Sequence, residues 1–132
     1  MKGLSGNVVR ALVPGTQLVC ADNSGAKVIA IINVLHLRGK HARYPAAGVG
    51  DIVVASVKKG KPDMIKKVVK ALVVRQRKEY RRPNGMRIFF EDNAAVLIND
   101  SLLPVGTEIK GVVAKEIAER YPKVAAVAAG VV

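Results

Sequence analysis

The sequence predicts a mainly β chain that closes into a small antiparallel barrel, and three observations predict it. Val and Ile supply 31 of the 132 residues, side chains that suit pleated, half-buried strands better than helices. Five or six short apolar runs follow one another, each bounded by Gly, Pro, Asn or Asp. Those runs are apolar on both faces, which favours closure over an open sheet with exposed edges. A chain of 132 residues is long enough for one domain with its own core and short for two. The expected division is an N-terminal extension over 1–14, a barrel with a projecting ribbon over 16–106, and a C-terminal helical segment over 107–132.

Gly3, Gly6 and Asn7 break up the extension, and Pro14-Gly15 is a turn signal before the first strand, Thr16 to Ala21. Asp22-Asn23-Ser24-Gly25 has the composition of a tight turn, so Lys27 to Leu35 completes a hairpin. Arg38 to Gly50 carries three glycines, a proline and no periodicity, and reads as a basic loop. Asp51 to Val57 is a strand, and Lys58-Lys59-Gly60-Lys61-Pro62 a turn crowded with ammonium groups. Val68 to Arg77 and Met86 to Glu91 are strands of a ribbon whose tip is Pro83-Asn84-Gly85. Asp92-Asn93 turns the chain into a further strand, Ala94 to Ile98. Beyond Gly106, Ala114 to Arg120 is a short amphipathic helix and Lys123 to Ala129 a second helical turn, with its alanines suited to close docking on the barrel or on a neighbour.

The charge is confined to one block. Residues 38–87 hold 15 Lys and Arg against Asp51, Asp63 and Glu79, which accounts for the whole net charge of +12; the remainder of the chain is balanced. A one-sided cluster of that size is the electrostatic footprint of a polyanion. Within it, Arg75, Arg77, Lys78, Arg81, Arg82 and Arg87 line the ribbon, where alternate residues share a face and the planar guanidinium can grip phosphate oxygens two at a time. Single-strand binders stack bases on exposed rings, but the chain has no Trp, three Tyr and two Phe. Recognition of the backbone and shape of a folded RNA is therefore the better expectation.

Chemistry has little to work with. Gly48-Val49-Gly50 lacks the third glycine and following helix of a dinucleotide site, and Gly60-Lys61-Pro62 lacks the upstream glycine and hydroxyl of a P-loop. His36, His41 and Cys20 are too few for a metal set, Ser24 and Ser56 have no His near them in sequence, and the carboxylates are dispersed among turns. Neither an enzyme, a cofactor nor a metal is expected. A single cysteine and the lack of a signal-like N-terminus suggest a reduced, intracellular setting, and no apolar run approaches the roughly 20 residues needed to span a bilayer.

Ala71-Leu72-Val73-Val74, then Asn84-Gly85 nine residues on, Phe90 four further, and Asn93 with Val96-Leu97 resemble the signature of the universal large-subunit ribosomal protein family numbered fourteen. Cys20 to Ala26, Arg43-Tyr44, Ala47 to Asp51, Arg81 to Gly85 and Pro104 to Thr107 extend the likeness over nearly the whole chain from Thr16. The extension and the wording VVRQRKEYRRPNG are similar to the archaeal and eukaryotic branch, with an archaeal source expected. The resemblance implies a five-stranded barrel with a protruding ribbon and short C-terminal helices, a structural part of the cytoplasmic ribosome. It further implies contact with large-subunit rRNA, a bridge to small-subunit rRNA, neighbouring large-subunit proteins, and the anti-association initiation factor, the last near Thr107 and Glu108.

The expected RNA-facing residues are Arg38, Lys40, Arg43, Lys58, Lys59, Lys61, Arg75, Arg77, Lys78, Arg81, Arg82 and Arg87. Gly25, Gly60 and Gly85 are expected to let the backbone approach RNA closely. A free-standing nucleic-acid chaperone is the rival reading, and an enzyme the more distant one.

Overall fold

The computed structural model describes residues 8–132, so the first half of the expected extension lies outside the described residues. In chain order the elements are β1 (Gln17–Cys20), β2 (Ala26–Val34), α1 (Lys40–Arg43), β3 (Ile52–Gly60) and β4 (Val68–Arg75), then β5 (Tyr80–Arg81), β6 (Arg87–Ile88) and β7 (Ala94–Ile98), and last β8 (Ile109–Val113), α2 (Lys115–Arg120), α3 (Pro122–Ala126) and β9 (Ala128–Val131). β1, β2, β3, β4 and β7 close into a barrel in that order. The expected mainly β barrel with a ribbon and short helices is what forms.

One seam of the barrel departs from the antiparallel expectation. β1 and β7 run parallel, pairing Val19 with Ala94 and Cys20 with Ala95. Parity requires this: around a ring of five strands that alternate in direction, the first and last point the same way. The seam is short, and the buried Asp22 carboxylate reinforces it by accepting the Leu97 backbone N–H at 3.0 Å as well as the Ser24 hydroxyl at 2.6 Å.

Strand alternation sorts the apolar residues into two cores. Leu18, Ile29, Val53, Ala71, Val73 and Leu97 are among those that fill the barrel interior. Leu72, Val74, Val96 and Ile98 point outward, yet they too are buried, because Ile109, Val113, Ile117, Tyr121 and Val124 cover that wall. All five residues of β7 are consequently buried, which is why AAVLI has no polar alternate. Each such Leu or Ile adds about 1.5–3 kcal/mol on full burial, so the C-terminal segment is part of the core rather than an appendage.

Several boundaries differ from those read in the sequence. Lys58, Lys59 and Gly60 continue β3 instead of opening a turn, because Lys59 and Gly60 pair with Val28 and Ala26 of β2. A Cβ on Gly60 would lie 2.5 Å from the Gly25 carbonyl oxygen, so the close approach that this glycine permits is between two strands of the protein itself. The loop over 38–50 contains the one-turn helix α1, exposed throughout. β4 ends at Arg75, and the ribbon is a separate sheet of β5 and β6. Finally, the expected second helical turn stops at Ala126, and residues 128–131 pair in parallel with β8, which satisfies backbone groups that a helix ending near Gly130 would leave open.

Candidate nucleic-acid interface

The barrel divides the basic block between its two ends. β3 begins beside the 38–50 loop and finishes at Lys58, Lys59 and Gly60, a run of nine residues that spans roughly 25 Å. At the far end Lys58, Lys59 and Lys61 are exposed, joined by Lys27, Lys66 and Lys67 and opposed by Asp63. At the near end Arg38, Lys40 and Arg43 on and around α1 are exposed, and so are Arg77, Lys78, Arg81 and Arg87 of the ribbon.

Gln76 holds the near end together. It is fully buried, accepts the Val49 N–H at 2.9 Å, and donates to the carbonyls of Lys78 at 2.9 Å and Val9 at 3.1 Å. One amide thus ties the loop, the ribbon root and the N-terminal segment. A lone Gln among arginines carries no sequence signal of that role.

Two of the expected RNA-facing residues are engaged inside the protein. Arg75 Nε lies 3.0 Å from Asp92 Oδ1, and its Nη1 donates to the carbonyls of Val112 at 3.0 Å and Lys110 at 3.2 Å. Its side chain is 11% exposed, so it fastens β8 to the barrel and does not share an open face with Arg77. Arg82 Nε is 2.9 Å from Glu116 Oε1, its Nη2 donates to the Val132 carbonyl oxygen at 2.7 Å, and its guanidinium lies 5.8 Å from the centre of the Tyr80 ring. Tyr80 completes the cluster by donating its hydroxyl proton to Glu116 Oε2 at 2.9 Å. Ribbon and C-terminal helix are therefore joined by a buried charge pair, and Tyr80 is 1% exposed. Arg87 is open, beside Glu79 at 3.3 Å.

Burial also moves titrations upward. It raises the Tyr80 hydroxyl well above its ordinary value of 10.0, helped by the hydrogen bond to Glu116, and it raises Tyr121 as well. The Cys20 thiol is pushed from 9.0 to about 12 by burial and by the charge of Asp22, to which it donates at 3.1 Å. In each case the fold favours the neutral form. The stabilisation is complete below the ordinary pKa and is lost as pH rises from there toward the raised value. We expect the urea midpoint to decline through about pH 9–12, and the decline to be shallower in Tyr80→Phe. Equal slopes for the two proteins would show that Tyr80 ionises freely in the fold.

Thr107 and Glu108 sit at an exposed corner where the 104–108 turn meets the β1–β2 hairpin. Asn23 shapes it: its Oδ1 accepts the N–H groups of Thr107 at 2.9 Å and Glu108 at 3.3 Å, and its Nδ2 donates to the Thr107 hydroxyl at 2.8 Å. A Cβ on Gly106 would lie 2.7 Å from the same Oδ1. Asp22 and Asn23 thus hold the hairpin turn to distant segments, whereas their sequence signal is that of a local turn. Among the described residues no group of three or more His, Cys, Asp or Glu side chains forms a metal-holding set. The carboxylates of Asp51, Asp92 and Asp100 are each paired with a cation: Arg10, Arg75 and Lys70.

The family described as ribosomal protein L14p/L23e matches residues 11–132. The chain is 53% identical over 128 residues to the large ribosomal subunit protein uL14 of Methanocorpusculum labreanum, with 97% of each chain covered. It is 54% identical over 132 residues to the uL14 protein of Thermoplasma volcanium, with 100% of each covered. It is also 54% identical to the uL14 protein of Methanococcus maripaludis, over 128 residues and 97% of each chain.

Proposed function

Because the chain belongs to the ribosomal protein L14p/L23e family, and is thus a structural, non-enzymatic component of the large subunit of the cytoplasmic ribosome, we propose that it acts as one rigid domain gripping rRNA at both ends. The observation that carries this is the charge distribution. Of the twelve basic residues singled out in the sequence, Arg75, Arg82 and Arg87 pair with carboxylates, and the other nine pair with none among the described residues. Nine unpaired, exposed cations on one small barrel repel one another until phosphates neutralise them.

Near-end residues Arg38, Lys40, Arg43, Arg77, Lys78, Arg81 and Arg87 and far-end residues Lys58, Lys59 and Lys61 form the proposed contacts. Arg82 acts as an internal clamp that aims the ribbon, and Arg75 as one that fastens β8 to the barrel. Two basic ends roughly 25 Å apart suit a part that touches two RNA bodies, so we assign one end to large-subunit rRNA and the other to a bridge with small-subunit rRNA. The near-neutral corner at Thr107 and Glu108 is the proposed face for neighbouring large-subunit proteins and the anti-association factor.

Sedimentation of a lysate tests the reading. The protein is expected to travel with the large subunit at moderate salt and to be released in high salt, as its grip on phosphate weakens with ionic strength. A slow, free pool at moderate salt would favour the chaperone reading instead.

A further inference from the structure

A groove of about 510 Å³ opens at the near end of the barrel, lined in part by Val9, Arg10, Leu37, His41, Tyr44 and Ala46. Its size lies within the range of about 300–1,000 Å³ typical of small-molecule sites. One wall is the N-terminal segment, which is pinned three ways: Arg10 Nε to Asp51 at 3.3 Å, the Val9 carbonyl to Gln76 at 3.1 Å, and the backbone of Leu12 to that of Ala47 at 2.7 and 2.9 Å. The other wall is α1 with Tyr44. The groove is therefore formed before any ligand arrives.

Tyr44 is 74% exposed, the most open of the large apolar side chains among the described residues. Tyr80, Tyr121 and Phe90 are buried, so the fold leaves only Tyr44 and Phe89 with accessible rings. Their surroundings differ. Phe89 stands between Arg87 and Glu91, two residues from each, so the charges beside it offset one another. Residues 36–46 around Tyr44 carry Arg38, Lys40 and Arg43 and no carboxylate. An open ring beside an aliphatic floor, on a segment whose charges are all positive, is the combination that holds an unstacked base and its phosphate.

We propose that this groove receives one unpaired nucleotide of an RNA strand, its base laid on the Tyr44 ring and its phosphate met by the cations of α1. The proposal rests on the RNA-binding reading above and adds to it a base contact, where that reading needed only backbone and shape. Tyr44 would discriminate single-stranded or looped RNA from a continuous helix, since a paired base cannot leave its stack to reach the ring without a cost of a few kcal/mol.

Purified protein and three variants, Tyr44→Ala, Tyr44→Phe and Tyr44→Leu, are titrated with a short labelled single-stranded RNA and with a blunt RNA duplex at one salt concentration. Tyr44→Ala is expected to weaken single-strand binding about ten-fold and to leave duplex binding within about two-fold, with Phe restoring and Leu failing to restore the affinity. Unchanged single-strand affinity, an equal weakening on both probes, or rescue by Leu each overturns the proposal while leaving general RNA binding intact. Binding of neither probe by the unmodified protein overturns both readings. In intact large subunits, ultraviolet crosslinking is expected to place a nucleotide on the peptide containing Tyr44, and a map with none there counts against the groove.

Discussion

Replacing Glu116 with Ala is expected to lower the unfolding free energy by about 3–5 kcal/mol, the usual cost of removing one partner from a buried ion pair. Glu116 is 9% exposed and answers both the Arg82 guanidinium and the Tyr80 hydroxyl, each at 2.9 Å. Without it, a guanidinium whose side chain is 12% exposed keeps its charge and loses its counter-ion. The measurement is a urea titration, in which the midpoint shifts while the slope is unchanged. Replacing Arg82 as well, by Met, should recover most of the stability, because the cost comes from a stranded charge more than from a missing attraction. A drop below about 1 kcal/mol in the single variant would mean that water reaches the pair and that the ribbon is not clamped through it.

Reversing Arg77, Arg81 and Arg87 to Glu is expected to weaken binding of the purified protein to large-subunit rRNA on the order of 100-fold at moderate salt. The slope of log affinity against log salt should fall by about one for each phosphate that the variant no longer neutralises. These three side chains are exposed, so the melting midpoint should barely move. Arg82 is deliberately left out: a carboxylate there would face Glu116, and weaker binding would then be indistinguishable from a failure to fold. The same reversal at Lys58, Lys59 and Lys61 should weaken binding independently, since groups roughly 25 Å apart seldom couple. An unchanged salt slope in the ribbon variant would remove the ribbon from the interface.

The alternation of apolar residues makes much of this fold legible. Strands are specified locally, by side chains that fill a pleated surface, so the pattern places the five strands of the barrel to within a few residues. Closure is legible too. The parallel seam between β1 and β7 does not stand out in the pattern, although an odd number of alternating strands entails it. The C-terminal strand β9 escapes because the alanines of Val124 to Val132 suit a helix locally, and only the free edge of β8 offers the alternative.

Composition, apolar alternation and the clustering of charge by themselves predicted a basic β barrel suited to a polyanion, and the spacing of its motifs placed it in a ribosomal family. What only the tertiary structure decided is which charges are available to that partner. Arg75, Arg77, Arg81 and Arg82 look alike in the sequence, yet two meet carboxylates from segments 17 and 34 residues away and two meet solvent. The same holds for the aromatic rings, of which Tyr80 is spent on Glu116 and Tyr44 is left open. The physical reason is that charge and ring count are additive along a chain, whereas pairing and burial depend on what folding brings within a few ångströms.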